Sequence, residues 1–440
     1  MYYLIETEEQ LNKFFQDEGG ECYLQFITNN DEMHPKLQTV CALYIYSFSK
    51  EKGFIINIDH PEAFPLEVPF SSLQSYTNIF VRDKVSALLH FPLPYTDIQS
   101  YHYIQTNEPL PPYPKTPTHT FYERKYGANN VNKIIPIAKH YESLQSEFDA
   151  LYPHILNYKE TTTTKWYNEV FTPTLSQMVS KGFKINDTFK KHFEINEKFN
   201  VRDNKLYGWY NYCTTTGRPT NNFNGISLST LKHNTGERDS FEASNDILVE
   251  MDFEGYHPRI IAHLIDYKID KNESIHTQLA KMYFETNEIV PEMYKKSKEL
   301  TFQQMYGGIK KDYLKYEYFS KAQQLVDILW KEFNTKGYIE TAIAKRKLLK
   351  DNYKNMSPQK LFNYYIQAFE TEYNFNILSK LFKLLENKKS KIVLYVYDSI
   401  LVDFSLEDGK ETLQAIKDTI SSDFPVKLKK GYTYSSLEAP

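Results

Sequence analysis

The sequence predicts an α/β domain at the N-terminus followed by a larger α+β region, and three observations carry that reading. Up to about residue 105, strand-like runs at 23–27, 42–48 and 54–58 alternate with helical patterns, with Gly53 placed at a turn. The stretch Pro109-Leu-Pro-Pro-Tyr-Pro-Lys-Thr-Pro117 can continue neither a helix nor a central strand, so it marks a linker and a domain boundary. Beyond it helical periodicity dominates, broken by two short apolar strands, 247–251 and 392–396, each running into an aspartate. The expected division is 1–115, a linker and helical connection over 116–186, and 187–440.

The chain has 440 residues, 41% hydrophobic and 25% charged, which is length enough for more than one core. Cys22, Cys41 and Cys213 lie far apart without paired spacing, which excludes a disulfide framework or a cysteine zinc site and suits a reducing, cytoplasmic compartment. The opening MYYLIETEEQ lacks the basic start and apolar stretch of a secretory signal, and no apolar run is long enough to cross a bilayer. A net charge of −4 does not by itself indicate nucleic-acid binding, which needs clustered Lys and Arg. The 36 Tyr and 29 Phe read first as a coding bias, although rings beside cations also suit base stacking.

Residues 246–265, DILVEMDFEGYHPRIIAHLI, place Asp252 at a strand end with Pro258 where a helix could start. Residues 392–404, IVLYVYDSILVDF, read as a hairpin with Tyr397, Asp398 and Ser399 around its turn. An aspartate in either place usually bonds only its own backbone. Two of them on rigid strands, however, can hold two magnesium ions about 3.5–4 Å apart, the arrangement that clamps the attacking and leaving oxygens of a phosphoryl transfer. Lys298, Phe302 and Tyr306 recur every four residues and share a helix face, in isolation the pattern of a core stripe edged by a solvated lysine.

Taken in order, these segments resemble family A DNA polymerases, the DNA polymerase I type, over about residues 130–440. The first resembles motif A, D-Y-S-Q-I-E-L-R-I-L-A-H-L, at Asp252, Arg259, Ile260, Ala262, His263 and Leu264. Residues 294–307 resemble the fingers pattern R-x-x-x-K-x-x-x-F-G-x-x-Y-G at Lys298, Phe302, Tyr306 and Gly307. Asp398 takes the aspartate of motif C, V-H-D-E, and residues 363–372 resemble N-x-P-x-Q-G-T-A-A-D. Thr216-Gly-Arg218 is similar to a T-G-R that faces the duplex minor groove, Ile275-His276 to an I-H opening a fingers helix, and 166–186 to a segment ending G-I-x-I-D.

The resemblance implies a polymerase palm and fingers that add dNTPs to primer-template DNA with two magnesium ions, or manganese in their place. It implies Asp252 and Asp398 as metal ligands and catalytic residues with Lys298, and Arg238, His257, Lys295, Phe302, Tyr306 and His276 at the nucleotide. Arg218, Asn224, Asn363 and Gln367 would contact primer-template, with Arg218 reading minor-groove acceptors. No membrane partner is implied.

This sequence departs from the family at His257, where the family has a sugar-screening glutamate, and at Tyr294, where it has an arginine, with Lys295 and Lys296 adjacent. Tyr397-Asp398-Ser399 replaces His-Asp-Glu, and Ser399 also resembles the H-D-S of single-subunit phage RNA polymerases. The N-terminal region sits where the family keeps an RNase H-like proofreading exonuclease with F-D-x-E-T. Here Phe26-Ile-Thr-Asn-Asn30 puts Ile27 and Asn29 at the carboxylate positions, and Ser86 and His140 stand where later aspartates are expected. Asp31, Glu32, Asp83 and Asp97 remain nearby without the site's spacing, so an inactive exonuclease-like domain is expected.

Only residues 187–212 occupy the place of the family's long helical thumb. Primer-template binding is therefore expected to be weak and salt-dependent unless a processivity or replisome protein compensates. The compact form suggests a phage-type enzyme in the host cytoplasm. A catalytically lapsed nucleic-acid-binding scaffold and a single-subunit RNA polymerase or primase stand as alternatives.

Overall fold

The computed structural model describes the chain apart from residues 1–2, 17–18, 32, 113–114, 128–129, 194–199, 223–225, 233–234 and 440, and the side chain of Phe70. It forms two compact units. One is Met1–Ser180 with Asn196–Asp203 and Tyr207–Trp209; the other is Lys181–Ile195, Asn204–Leu206 and Tyr210–Pro440.

The N-terminal unit is built on a six-stranded sheet of β1 (Tyr3–Ile5), β2 (Gly20–Thr28), β3 (Val40–Ser47), β4 (Lys52–Asn57), β5 (Tyr76–Val81) and β6 (Tyr95–Asp97). Its order is β1-β4-β3-β2-β5-β6. The β2–β3 and β3–β4 pairs are antiparallel, while β1–β4, β2–β5 and β5–β6 are parallel. Alternate residues serve opposite faces, as strand geometry requires. Cys22, Leu24, Leu43, Ile45 and Ile56 bury one face with Leu11 and Phe14 of α1 (Glu8–Gln16). Tyr23, Ile27, Ala42, Tyr44 and Ile55 bury the other with Ile137, Leu144, Phe148, Leu151 and Ile155 of a long helix at Ile137–Leu156. With both faces covered, the strands read as nearly continuous apolar runs.

Two local expectations change here. Gly53 lies within β4 rather than at a turn; a Cβ there would stand 2.7 Å from the Tyr44 hydroxyl and 2.8 Å from Gln145 Oε1, so the glycine permits close packing. The proline-rich stretch is not where the units divide. Leu110 is 4% exposed within the sheet's core, Pro111 O accepts from Arg82 Nη2 at 2.5 Å, and Pro117 opens α3 (Pro117–Tyr126). Proline forbids an interior helix or ladder position, but it does not forbid packing or the first turn of a helix. α2 (Lys84–His90) follows β5, and α4 is the helix Ile137–Leu156, so most of the expected connection over 116–186 is packed into this unit.

In the C-terminal unit β7 (Ile247–Phe253), β8 (Lys391–Val396), β9 (Ser399–Phe404) and β10 (Val426–Gly431) form a four-stranded sheet of order β8-β9-β7-β10. All three pairings are antiparallel. Around it lie α5 (Tyr256–Leu264), α6 (Ile275–Phe284), α7 (Pro291–Gly307), α8 (Glu317–Lys336), α9 (Pro358–Leu384) and α10 (Gly409–Ile420). α9 buries Leu361, Phe375, Leu378 and Leu381 completely, with further buried residues around its circumference, as a core helix does. Among the described residues of 187–212 the longest helix is Phe189–His192.

Candidate active site

The apolar run 247–251 becomes β7, and Asp252 near its end pairs across the sheet with Ser399 of β9 and Lys427 of β10. Asp398 sits in the two-residue turn between β8 and β9, and its carbonyl accepts from Phe253 N at 2.9 Å. That bond ties the hairpin tip to the end of β7, so carboxylates 146 positions apart in sequence line the same cavity. Among the described residues neither carboxylate is bonded or ion-paired by another residue, Asp398 accepting only from its own backbone amide. Burial, then the Asp398 charge and Glu250, push Asp252 up to about 6 against the pull of Lys429 and Lys427. Burial and Glu370 likewise raise Asp398. Two adjacent carboxylates that ionise reluctantly make a site in which a bound cation would relieve the repulsion.

The turn after β7 is shaped by Gly255 and Arg259. Gly255 has φ +55°, and a Cβ on it would meet Ile275 Cγ2 at 2.3 Å, so the start of α6 can approach only a glycine. Arg259, 4% exposed, donates to Glu254 Oε2 from Nε at 3.0 Å and Nη2 at 2.8 Å and reaches the carbonyls of Asp270 and Glu273. Glu254 Oε1 also accepts from Ser274 Oγ at 2.6 Å, completing the tie to α6. His276, on that helix, lines the cavity, and burial holds its imidazole down at about 4.

α7 supplies the opposite wall. Tyr294, Lys298, Phe302 and Tyr306 all face the cavity, the Phe302 and Tyr306 rings stacked at 5.8 Å and the Lys298 ammonium 6.0 Å from the Phe302 ring centre. Lys295 does not join them. It is exposed and does not line the cavity, where the ring of Tyr294 stands instead.

A polar chain crosses the cavity, from exposed Tyr306 to buried Glu370. His257 Nδ1 meets the Tyr306 hydroxyl at 2.5 Å, and His257 Nε2 lies 3.4 Å from Glu370 Oε2. Glu370, 1% exposed on α9, is also held by Arg218 through Nε at 3.0 Å and Nη2 at 3.1 Å, while the guanidinium packs 3.7 Å over the Tyr397 ring. Burial alone would raise the Glu370 carboxyl; His257 and Arg218 bring it below its ordinary value. A carboxylate only accepts, so Nε2 carries the hydrogen and, in the neutral ring, Nδ1 accepts from Tyr306. Arg218 is thus engaged inside the cavity rather than presented from a surface turn.

Other expected residues lie elsewhere. Arg238 donates from Nε to Leu231 O at 3.0 Å and stacks 4.5 Å over Tyr434, away from the cavity. Asn363 and Gln367 are half-buried on α9 and do not line it, and Asn224 falls outside the described residues. Sequence reading missed Glu370 and Lys427. No local signal marked Glu370, on a helix that also carries Glu372 with lysines and asparagines, and Lys427 was available only from strand register.

Among the described residues no group of three or more His, Cys, Asp or Glu side chains could hold a metal. The site's donor set is two carboxylates, which fits a hard, oxygen-preferring cation completed by water and phosphate. The model of DNA polymerase family A matches residues 136–435. DNA polymerase I of Borreliella burgdorferi is 25% identical over 280 residues, covering 56% of this chain and 31% of that protein. The thermostable DNA polymerase I of Thermus filiformis is 22% identical over 277 residues, covering 54% and 33%. The match thus spans about a third of the length of these curated relatives. A solved structure, the POL domain of Pol1 from M. smegmatis in complex with DNA primer-template and dNTP, shares the fold with TM-score 0.72 and 13% identity over 99% of each chain. With the family model covering more than half its residues, the chain belongs to DNA polymerase family A.

Proposed function

We propose that this chain is a template-directed DNA polymerase that adds deoxynucleotides to a primer 3′ end. The observation that carries this is the meeting of Asp252 and Asp398 in one cavity, opposite Lys298, Phe302 and Tyr306, in a chain of this family. Asp252 and Asp398 would hold two magnesium ions, which supply charge stabilisation to the attacking and leaving oxygens. Lys298 meets the triphosphate, where negative charge grows in the transition state. Phe302 and Tyr306 offer ring faces to the base and sugar. His257, fixed by Glu370, narrows the cavity beside the sugar and takes the place of the family's glutamate.

For the N-terminal unit we propose an exonuclease-like domain without proofreading. Support comes from its six-stranded sheet, three central antiparallel strands flanked by parallel β1 on one side and β5 and β6 on the other, and from the partners of its acidic residues. Glu147 is taken up by Arg82 Nη1 at 2.8 Å and Gln25 Nε2 at 3.0 Å. Asp83 caps α2 through Val85 N at 3.0 Å, and Asp97 accepts from Lys84 N at 3.2 Å. These carboxylates have structural tasks. The short 187–212 segment supports weak, salt-sensitive grip on duplex DNA and a role for an accessory processivity protein.

The test is primed-template extension by purified protein with magnesium, comparing dNTPs with rNTPs and primed with unprimed template. Extension of a primed template with dNTPs is expected. Incorporation of rNTPs alone, or synthesis without a primer, would replace this reading with an RNA polymerase or primase.

A further inference from the structure

α3 has no buried residue, and its rings point outward: Phe121 is 58% and Tyr126 49% exposed. Aromatic rings usually repay a fold by burial, so a helix that leaves two of them in water invites a ligand. The helix itself is well specified, with Pro117 in its first turn and the Thr116 side chain accepting from His119 N at 3.1 Å. Its inner side is His119, whose side chain is 14% exposed and faces Asp31 at 3.9 Å.

The outward side combines rings and cations. Phe121, Arg124 and Lys125 stand at i, i+3 and i+4 and so share a face. The Lys125 ammonium lies 5.8 Å from the Phe121 ring and 5.0 Å from the Tyr126 ring, and Tyr122 packs at 5.6 Å on Phe121 and 5.9 Å on Tyr126. Lys115 is neutralised by Glu123 at 2.9 Å, whereas Arg124 and Lys125 have no carboxylate partner among the described residues. With Pro117 and Thr120, the three cations and Phe121 line a shallow hollow. In a chain of net charge −4, this local excess of positive charge beside exposed ring faces is not the general character of the surface.

We propose that α3 is a binding platform for single-stranded nucleic acid, with bases stacking on Phe121 and Tyr126 and backbone phosphates meeting Arg124 and Lys125. Stacking needs a ring face open to solvent, and a polyanion needs unpaired cations within a nucleotide's reach; both are met on one helix. A purely apolar protein partner would leave Arg124 and Lys125 buried without a counter-charge. The choice of nucleic acid as occupant rests on the polymerase reading above.

The test uses the full chain with a fluorescent oligothymidylate and a blunt hairpin duplex, read by anisotropy over a salt series. In the Phe121→Ala/Tyr126→Ala variant the single strand should bind about tenfold or more weakly, with duplex affinity unchanged. In Arg124→Gln/Lys125→Gln the slope of log affinity against log salt should fall by about 1.4, two phosphate contacts on a single strand. Thermal melts confirm that each variant is folded, an exposed face being a mild place to substitute. Unchanged single-strand affinity in the ring variant overturns the platform, as does self-association that disappears with the rings while oligonucleotide binding persists. Extension by the same preparations separates the two readings. A wild-type protein that extends primers while its single-strand affinity ignores the rings sinks the platform alone; one that extends nothing, with ring-dependent strand binding, sinks the polymerase assignment alone.

Discussion

Asp83 and Asp97 in the N-terminal unit and Asp252 and Asp398 in the C-terminal unit all stand at or just after strand ends. Burial raises the pKa of each, and a neighbouring aspartate adds to it at Asp97 and Asp252, yet their hydrogen-bond partners differ. Asp83 and Asp97 accept from backbone amides, and nearby Glu147 is bound by a guanidinium and an amide. Asp252 and Asp398 instead receive no hydrogen bond from another residue among those described, and both line an open cavity. A carboxylate whose acceptors are taken up by amides of its own fold has a structural task; one that receives no hydrogen bond from another residue and lines an open cavity is available to a ligand. Position after a strand does not distinguish the two cases, whereas hydrogen-bond partners do.

The largest effect expected from this contrast is at the unfilled pair. Asp252→Asn or Asp398→Asn should cut single-turnover extension by on the order of 10³-fold or more, several kcal/mol of transition-state stabilisation, with primer-template affinity nearly unchanged. Near-native extension by either variant would erase the distinction. Lys298→Ala comes next, at about 10²-fold, seen as a higher KM for dNTP together with a lower kcat. In the N-terminal unit Arg82→Ala should leave extension intact and lower stability by about 2 kcal/mol in urea melts, because Glu147 loses its counter-charge and keeps only Gln25. Magnesium-dependent trimming of 3′ ends by either protein would refute the structural role given to that unit's carboxylates.

Glu370 sharpens the contrast, being a buried carboxylate with partners inside the same cavity. Glu370→Ala strands Arg218 and should destabilise by about 3 kcal/mol. Glu370→Gln keeps the shape but can donate to His257 Nε2, reversing the tautomer presented to Tyr306. A changed ratio of dNTP to rNTP incorporation with a nearly unchanged Tm is expected; an unchanged ratio would remove Glu370 from sugar selection.

The smallest effect is on pH. The folded protein holds the Asp252 proton up to about 6, above the ordinary carboxylate value, so its contribution to metal-free stability is favourable in acid and lost as pH rises from about 4 to about 6. Asp252→Asn should therefore be slightly more stable than wild type at pH 8 without metal, by about 1 kcal/mol or less given its partial exposure. Over the same window the magnesium concentration needed for half-maximal extension should fall, because the cation competes with that proton.

The strands and the shared face of Lys298, Phe302 and Tyr306 were legible in the sequence because each depends on local periodicity, whereas the pairing of Asp252 with Asp398 rested on the family resemblance. Lys295 was not excluded by helix phase, since it stands three residues before Lys298 and seven before Phe302; its absence from the cavity lining is a finding of the structure. Glu370 and Lys427 were not legible, since a helix buried all round has no stripe to read and an antiparallel register is fixed by long-range pairing. Arg238 carried no geometric argument, and the structure uses it against Tyr434. The proline run misled because its chemistry excludes secondary structure, while the domain division follows packing.

Tyr397 has φ 53° at the first central position of the two-residue turn that aims Asp398, the place where a type II′ hairpin ordinarily wants glycine. Tyrosine in that conformation is uphill by about 1 kcal/mol, and its ring is what Arg218 rests upon. Relaxing the backbone and keeping the guanidinium's seat are therefore competing demands on a single side chain, and glycine at this site would buy a calmer loop at the expense of the cavity's far wall.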